Sequence, residues 1–372
     1  MNLQEFLAPA AETARRSGPR DKIVMSSRVR LARNLRSAAF PGWAKKPERV
    51  RVFERLRTAV ESLPVMAAGF SESMENVSVL EKQILVERHL ISREHAAKGP
   101  GSGLVLSRDT SVSVMINEED HLRMQAIQPG YQFREAWAVL DAVDTELSLK
   151  LDYAFSPELG YLIACPTNVG TGIRVSAMLH LPGSVLHEQI NPIIQSVNKL
   201  GLAVRGFYGE GTEALGNVFQ VSNQMTLGES EAMILARLEK VVSQLIEHEE
   251  NARAVLLEQK PKLLFNQIGR AYGILANAHS VSSKEAMNLL SLLRLGIDLG
   301  LFPGVGRELN DELFLMIQPA HLQASRAEKL TGDERDLLRA DLLRERLKAV
   351  RRPLDHPAAE GPAPSLDNEP KS

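Results

Sequence analysis

The 372-residue chain contains very little cysteine and no long apolar run. Its single cysteine, Cys165, excludes an internal disulfide bond and is typical of a protein from a reducing compartment. No segment reaches the roughly 18 consecutive apolar residues that a membrane-spanning helix needs. The first residues lack the basic and apolar regions of a signal peptide. We therefore expect a cytoplasmic protein that does not bind membranes.

The chain also lacks an excess of charge of one sign. Forty-four Lys and Arg residues face 46 Asp and Glu residues, which gives a formal net charge of -2. This balance argues against a protein that coats nucleic acid through charge alone. The sequence has no Gly-x-x-x-x-Gly-Lys-Ser/Thr loop, so a Walker-type nucleotide site is excluded. The glycine-rich segment 99–103 is better interpreted as a flexible connection.

Hydrophobic patterning indicates an α+β fold in the first part of the chain, residues 20–254. Strands are predicted at 104–107, 112–116, 122–127, 160–165, 173–181, 202–208 and 217–222. Helices are predicted at 47–63, 79–91, 133–149, 185–200 and 229–250, with Pro192 bending or dividing the fourth. Because the first three strands are separated by few residues, they should form an antiparallel meander. The expected architecture is an antiparallel sheet flanked by helices.

The second part, residues 255–350, is rich in Leu, Ala, Glu and Arg at helical spacing and predicts an all-helical domain. Its last helix should begin at Thr331, because Thr331 and Glu334 form a capping-box pattern. Residues 351–372 contain five prolines and little apolar content, which predicts a disordered tail.

Four polar segments combine arginine with turn residues, carboxylates or the thiol. They are Ser26-Ser27-Arg28-Val29-Arg30, Asn117-Glu118-Glu119-Asp120-His121-Leu122-Arg123, Ala164-Cys165-Pro166-Thr167-Asn168-Val169-Gly170-Thr171-Gly172-Ile173-Arg174 and Arg205-Gly206-Phe207-Tyr208-Gly209-Glu210. Guanidinium groups stay charged and bind phosphate oxygens in pairs, while carboxylates bind cations. Taken singly, each arginine is better explained as a surface ion-pair partner, and the acidic segment fits a solvated turn about equally well. Together they predict a kinase site for a guanidinium substrate.

These four segments, in this order, resemble those of the phosphagen (ATP:guanido phosphotransferase) kinases, the family of arginine and creatine kinases. The rest of the chain resembles its bacterial branch, the protein-arginine kinases, and the likeness extends over about residues 20–345. The resemblance implies a catalytic domain with a glutamine-synthetase-like sheet and a substrate pair that includes ATP with Mg²⁺. It also implies that residues 255–350 form a regulatory and dimerisation domain.

The resemblance implies a nucleotide site in which arginines surround the phosphates. These arginines are Arg28, Arg30, Arg123, Arg174 and Arg205. The other residues implied in the site are Ser26, Ser27, Val29, His89, Val175, Ser176, Ala177, Met178, Gly206, Phe207, Tyr208, Gly209 and Glu210. His89 would stack beside the adenine, and Met178 stands where small-molecule members of the family usually have a histidine.

The same resemblance places Glu119, Glu210 and Cys165 around the substrate guanidinium. Arginine has a pKa above about 12, so the site must hold the cation and accept a proton as the N–P bond forms. Either glutamate could be the base; we favour Glu119, with Glu210 orienting the substrate. Cys165 would act as a thiolate rather than a nucleophile, although a lone cysteine is often a small buried apolar residue. Glu118 would lie near the hydrated magnesium ion, with no direct protein ligand to the metal.

Near the end of the helical part, Arg335-Asp336-Leu337-Leu338-Arg339-Ala340 resembles the RDxxRA motif of protein-arginine kinases. The resemblance implies an allosteric pocket for phosphoarginine, with arginines on the phosphoryl group and Asp336 on the guanidino nitrogens. Judged from spacing alone, the segment is better explained as a charged, solvent-exposed helix face.

The resemblance implies that the protein makes N-phosphoarginine in other proteins and in itself. The first arginine strand begins near residue 26, which leaves no room for the N-terminal domain of small-molecule members. Implied partners are a heat-shock repressor and unfolded proteins as substrates, a zinc-finger activator, a Clp protease and a second copy of the chain; direct nucleic-acid binding is not expected. The alternatives are a kinase for free arginine or a related guanidino metabolite, and a phosphoarginine-binding adaptor with weak catalysis.

Overall fold

The computed structural model describes residues 3–7, 17–206 and 214–355. Its helices are α1 (Leu3–Leu7), α2 (Lys46–Glu61), α3 (Val79–Glu87), α4 (Arg93–Ala96), α5 (Phe133–Ser148), α6 (Pro182–Leu186), α7 (Ile190–Lys199), α8 (Glu231–Gln259), α9 (Pro261–Asn277), α10 (Ser283–Asp298), α11 (Arg307–Met316), α12 (Pro319–Ala324) and α13 (Gly332–Leu347). Its strands are β1 (Val24–Arg33), β2 (Phe70–Ser73), β3 (Gly103–Leu106), β4 (Val112–Ile116), β5 (Leu122–Pro129), β6 (Phe155–Ser156), β7 (Gly160–Tyr161), β8 (Ile173–His180), β9 (Leu202–Gly206) and β10 (Val218–Asn223). The α+β expectation is confirmed.

Eight strands form one antiparallel sheet in the order β2-β3-β4-β5-β1-β8-β10-β9. β3, β4 and β5 form the predicted meander, with Val105 opposite Val114 and Val114 opposite Met124. The long strand β1 lies near the centre, between β5 and β8. The first arginine segment is therefore flanked by the strands that carry two of the others.

One face of this sheet is the core of the first domain. Val29, Leu31, Val175 and Ala177 alternate along β1 and β8 and are completely buried, and they belong to one apolar cluster with residues of α5 and α8. Because neighbouring side chains of a strand point to opposite faces, the residues between them must lie on the other face. That other face carries the arginines.

Helices α9, α10, α11 and α13 surround a second apolar cluster, which includes Leu264, Ile268, Leu290, Leu313 and Leu343. α8 is continuous across residue 254, with Ile246 in the first cluster and Leu256 in the second. At the start of α13, the Thr331 hydroxyl accepts the Glu334 N–H, and the Glu334 carboxylate accepts the Thr331 N–H. This is the predicted capping box.

Two predicted elements were wrong in detail. The strand expected at 160–165 is limited to Gly160–Tyr161, because side chains hold the backbone beyond it: Leu162 C=O accepts from Asn34, and Ala164 N–H donates to Asp120. The helix expected at 185–200 is two helices, α6 and α7. The break occurs at Glu188, whose φ is 61°, and Pro192 lies in the first turn of α7, where its missing N–H costs no helical bond.

Some expectations fall outside the described residues. These are the end of the strand expected at 202–208, the segment with Phe207, Tyr208, Gly209 and Glu210, and most of the tail expected at 351–372. Among the residues that are described, no helix combines the length and apolar character needed to cross a membrane.

Candidate active site

Arginine side chains from four strands share the face of the sheet opposite the core. Arg30 lies directly opposite Arg174, Arg28 lies opposite Ser176, and both arginines alternate with buried residues of β1. On the neighbouring strands, Arg123 is opposite Ala32 and Arg205 is opposite Gln220. The strand registers therefore place all five sequence-predicted arginines on one face.

Neutral polar side chains hold two of these arginines. Arg28 donates from Nη2 to Oε1 of Gln220 at 2.7 Å and from Nε to the Ser176 hydroxyl at 3.4 Å. Arg174 donates to the Ser222 hydroxyl at 3.4 Å. Neutral acceptors orient a guanidinium without cancelling its charge, so the positive charge of Arg28 and Arg174 remains available for an anion.

The arginines influence one another electrostatically. Burial, followed by the charges of Arg123 and Arg174, lowers the pKa of Arg28 to about 10. Burial and the charges of the neighbouring arginines also lower the pKa of Arg30, and burial and the charges of Arg205 and Arg123 lower that of Arg174. Nε of Arg30 is buried and has no hydrogen-bond partner among the described residues. Such a group of mutually repelling cations is suited to a polyanion.

The other residues of β1 and β8 that the sequence placed in the nucleotide site lie on both faces of the sheet. Ser26, Ser176 and Met178 lie on the arginine face by their register. In contrast, Val29, Val175 and Ala177 point into the core, and so does Ser27, whose hydroxyl donates to Gly130 C=O and accepts the Gln132 N–H. The structure therefore gives these last four side chains a packing role, because they point away from the arginine face.

His89 lies next to this face at the end of α3, and its φ of 58° ends the helix. Its carbonyl accepts a hydrogen bond from Gln125 at 2.8 Å, which fixes it to β5. Burial and the positive charge of Arg28 lower the pKa of its imidazole to about 4. A neutral imidazole near Arg28 is compatible with the expected position beside a base.

The two glutamates of the acidic turn have different environments. Glu118 is 1% exposed and accepts from Ser92 at 2.5 Å and from Arg123 at 2.8 Å. Although burial raises the pKa of the Glu118 carboxyl, Arg123 and the hydrogen bonds from Ser92 and the Glu119 N–H hold it below its usual value. Glu119 is exposed, so its carboxylate is accessible to a substrate.

Asp120 connects the acidic turn to the cysteine loop. Its Oδ1 accepts from Asn34 Nδ2 at 2.6 Å and from the Ala164 N–H at 2.7 Å. The side chain is 3% exposed, and burial raises its pKa to about 6. The sequence did not indicate that Asp120 joins these two segments. The only signal was the presence of an aspartate directly after Glu119.

Cys165 follows Ala164 and precedes a short 3-10 turn, Pro166–Asn168. Cys165 is half-buried, and its sulfur lies 3.1 Å from the Thr167 hydroxyl. It is also close enough to Arg174 for a negative charge on the sulfur to raise the pKa of that guanidinium. The structure therefore places Cys165 near the arginine face. Glu210, the second predicted carboxylate, lies outside the described residues.

The described residues contain no group of three or more His, Cys, Asp or Glu side chains arranged to hold a metal ion. Within the part of the chain that the structure describes, Glu118 is the carboxylate that pairs with an arginine of this face. Arg123 and Ser92 donate to one of its oxygens, and the Glu119 N–H donates to the other. A magnesium ion would fit here as a partner of the nucleotide phosphates and water, with Glu118 in an outer position.

The six residues of the RDxxRA segment lie on α13, but their side chains differ in exposure. Arg339 is 1% exposed and donates to Ile317 C=O, to Val281 C=O and to Asp336. Arg335 is half-buried and donates to Leu330 C=O, whereas Leu337 is 49% exposed. Leu338 is half-buried and Ala340 is in the second core cluster. The segment therefore does not present two free guanidinium groups on a common face.

Comparisons with known proteins agree with this geometry. Residues 51–252 match the family model described as ATP:guanido phosphotransferase, C-terminal catalytic domain. Residues 261–358 match that described as Protein-arginine kinase McsB C-terminal domain. Among solved structures, a lombricine kinase superposes with a TM-score of 0.55 and 26% identity, over 67% of this chain and 77% of its own. A substrate-free duplicated taurocyamine kinase from Schistosoma mansoni, 22% identical, has the same fold with a TM-score of 0.56, over 77% of this chain and 49% of its own.

Curated relatives cover nearly the whole chain. The protein-arginine kinase of Moorella thermoacetica is 47% identical over 334 residues, 89% of this chain and 95% of its own length. That of Halalkalibacterium halodurans is 47% identical over 350 residues, 94% and 98% of the two chains, and that of Bacillus subtilis is 44% identical over 350 residues, 93% and 96%. The chain belongs to the bacterial protein-arginine kinases of the ATP:guanido phosphotransferase family, as the resemblance indicated.

Proposed function

We propose that this chain transfers the γ-phosphoryl group of Mg-ATP to the guanidinium of arginine residues in proteins. The observation that carries the proposal is the common face shared by Arg28, Arg30, Arg123, Arg174 and Arg205, together with the accessible Glu119 and the nearby Cys165. The cations match a triphosphate, and the two acidic groups match a substrate cation. Membership in the family supports both assignments.

The chemistry follows from these charges. The arginines hold the phosphates and neutralise charge on the transferring group, which is the main requirement of phosphoryl transfer. Glu119 orients the substrate guanidinium and accepts a proton from its terminal nitrogen as that nitrogen forms a bond to phosphorus. The bond between phosphorus and the bridging oxygen of ADP breaks, and ADP leaves. Magnesium, when bound, supplies further neutralisation of the phosphates.

Glu210 and Cys165 complete the proposed guanidinium pocket. Glu210 would help Glu119 to orient the cation. Cys165 would add a negative group without forming a covalent bond, and its position near Arg174 and the Thr167 hydroxyl supports this role.

Regulation and partners form a further part of the proposal. We assign phosphoarginine sensing to the half-buried Arg335 and Asp336 of α13, with Arg339 holding Asp336 in place. The sequence resemblance supports the remaining assignments. These are dimerisation through residues 255–350, a cytoplasmic location, a heat-shock repressor as a substrate, a zinc-finger activator and delivery of marked proteins to a Clp protease.

The experiment that tests the function compares two acceptors. The protein is incubated with ATP and Mg²⁺ and either free arginine or a denatured, arginine-rich protein, and acid-labile phosphate is measured in each. Phosphate on the denatured protein supports the proposal. Phosphate on free arginine alone would assign the activity to a guanidino metabolite, and a lack of transfer with intact phosphoarginine binding would assign the chain to the adaptor class.

A further inference from the structure

A groove lies beside the cysteine loop, between the β6–β7 hairpin and the segment that leads into α8. It has a volume of about 390 Å³ and is lined by Phe155, Leu159, Tyr161, Gly170, Leu227 and the glutamates 158, 229 and 231, among other residues. We call it the hairpin groove. Phe155, Leu159 and Leu227 are 47%, 47% and 51% exposed, so three large apolar side chains face solvent within one concave surface.

The apolar wall of the hairpin groove is held rigidly. The Arg33 guanidinium stacks 3.6 Å from the centre of the Tyr161 ring, and the same guanidinium pairs with Asp144 at 2.6 Å in the interior. Phe155 packs edge-on against Tyr161 with 5.3 Å between ring centres. A wall whose rings are fixed before binding loses little conformational entropy when an apolar side chain enters.

The hairpin groove is continuous with the catalytic loop. Tyr161 and Gly170 exchange backbone hydrogen bonds of 2.8 and 3.4 Å, and Gly170 belongs to the loop that carries Cys165. Across the groove, the Thr226 hydroxyl contacts Thr167 C=O at 3.3 Å and Val169 C=O at 2.7 Å. Cys165 is four positions after Tyr161 in the chain, a separation of at most about 14 Å even for extended chain.

The charge of the hairpin groove indicates the chemistry of its occupant. Its acidic lining residues are Glu158, Glu229 and Glu231, and none of the described residues that line it is basic. Arg237 pairs with Glu229 at 2.6 Å, while Glu158 and Glu231 form no ion pair within the described part of the chain. An apolar floor with an acidic edge suits a polypeptide that carries apolar and basic side chains together.

Resting on the proposed function, we propose that the hairpin groove binds the substrate polypeptide itself, by receiving an apolar side chain within about four residues of the target arginine. Such a contact is made equally before and during phosphoryl transfer, so it should lower KM and leave kcat nearly unchanged. It would direct the enzyme toward arginines near exposed apolar residues, as occur in unfolded chains.

The test uses two synthetic peptides with one arginine each. In the first, Leu and Phe stand three residues to either side of the arginine; in the second, both are Ser. The wild-type protein should phosphorylate the first peptide with a kcat/KM roughly tenfold higher, through KM, as burial of one large apolar side chain implies. The double variant Leu159→Ser/Leu227→Ser should lose this preference. For a version of the first peptide with a lysine next to its leucine, Glu158→Gln should raise KM by about threefold, the range of an exposed charge pair.

The matched control is Leu149→Ser, which removes an 83% exposed leucine that does not line the hairpin groove; it should keep the preference. Equal efficiency of the wild-type protein on both peptides would overturn the groove proposal alone. Absence of transfer to either peptide would overturn the proposed function and the groove with it. A double variant that retains the preference but changes from dimer to monomer in sedimentation would assign the groove to a second copy and overturn the proposal.

Discussion

Oδ1 of Asp120 accepts the backbone N–H of Ala164 at 2.7 Å, which joins the turn that carries Glu119 to the loop that carries Cys165. The same oxygen accepts the Asn34 side chain at 2.6 Å, and Asn34 Oδ1 in turn accepts the His121 N–H. One buried carboxylate thus holds two of the three acidic groups of the proposed guanidinium pocket, Glu119 and Cys165. In the proposed mechanism Asp120 positions these two groups and does not touch the substrate itself.

This link predicts opposite effects of pH on activity and on stability. Burial raises the pKa of Asp120 to about 6, and an ionised acceptor holds the Ala164 N–H more strongly than a neutral one. Phosphoryl transfer should therefore decrease as the pH falls through about 6. Stability should change the other way. The folded state binds the Asp120 proton more tightly than the unfolded state does, so this proton stabilises the fold at low pH. Its contribution to the free energy of unfolding is lost as the pH rises from about 4 to about 6. The difference should be on the order of 1–3 kcal/mol.

Asp120→Asn removes the titrating group and keeps its shape. We expect a lower kcat, a flatter pH–rate profile on the acid side, and a smaller difference between the urea-unfolding free energies at pH 5 and pH 7. Wild-type and variant proteins are measured in parallel so that all other groups cancel. An unchanged acid limb in the variant would remove Asp120 from this role.

The arginine face predicts strong, site-specific losses of nucleotide affinity. Arg28→Ala removes a guanidinium that Gln220 and Ser176 orient toward the shared face. Because hydrogen bonds to charged groups contribute about 1.5–3 kcal/mol, the Kd for ADP should rise roughly 10- to 100-fold. The control is Arg20→Ala, since Arg20 is exposed and pairs with Glu250 at the surface. Calorimetric titration with Mg-ADP gives both values, and equal affinities for the two variants would argue against a phosphate site on this face.

Glu119 and Cys165 should differ in their effects on turnover. Loss of a general base typically lowers kcat by about 10²- to 10⁴-fold, which is the expectation for Glu119→Ala. Cys165→Ser removes a charge interaction and should lower kcat roughly tenfold, equivalent to about 1.4 kcal/mol. The control is Glu54→Ala, at an exposed position of α2. Comparable rates for the Glu119 and Cys165 variants would contradict this division of roles.

The two arginines of the RDxxRA segment should respond differently to substitution. Arg339 is buried with three hydrogen-bond acceptors in place, so Arg339→Ala should lower the free energy of unfolding by about 2–4 kcal/mol. Among the residues that the structure describes, the Arg335 side chain makes one hydrogen bond, to Leu330 C=O. Arg335→Ala should weaken phosphoarginine binding while changing the unfolding free energy by less than about 1 kcal/mol. Urea unfolding and calorimetric titration with phosphoarginine measure both effects, and a comparable loss of stability in both variants would leave the segment with a structural role only.

The sequence was sufficient to predict the features of the fold that depend on local periodicity and on short loops. The β3–β5 meander follows from short links between apolar runs, and the pairing of Arg28 with Arg30 on one face follows from strand alternation. The central position of β1 between β5 and β8 was not accessible, because pairing of strands distant in the chain leaves no local signal. The prediction that the arginines form one site came from the family resemblance. The pairing of β1 with β5 and β8 explains how they come together.

Side-chain partners account for the other differences. Glu188, with its φ of 61°, divides α6 from α7, and only Pro192 had indicated a break. The segment after Tyr161 is a short apolar run, as in a buried strand, yet Asn34 and Asp120 bind its backbone and end the strand early. Helical spacing likewise placed Arg335 and Arg339 together, but could not show that backbone carbonyls from two other segments bind Arg339.

A structure of the protein with Mg-ADP, nitrate and an arginine-containing peptide gives the most direct test of the proposed site. The arginine face should bind the anions, with guanidinium nitrogens of Arg28, Arg123 and Arg174 about 3 Å from phosphate or nitrate oxygens. The peptide guanidinium should lie between Glu119 and Cys165, in line with the nitrate and ADP. Phosphates bound away from the arginine face, or a peptide arginine that does not reach Glu119, would contradict the proposed mechanism.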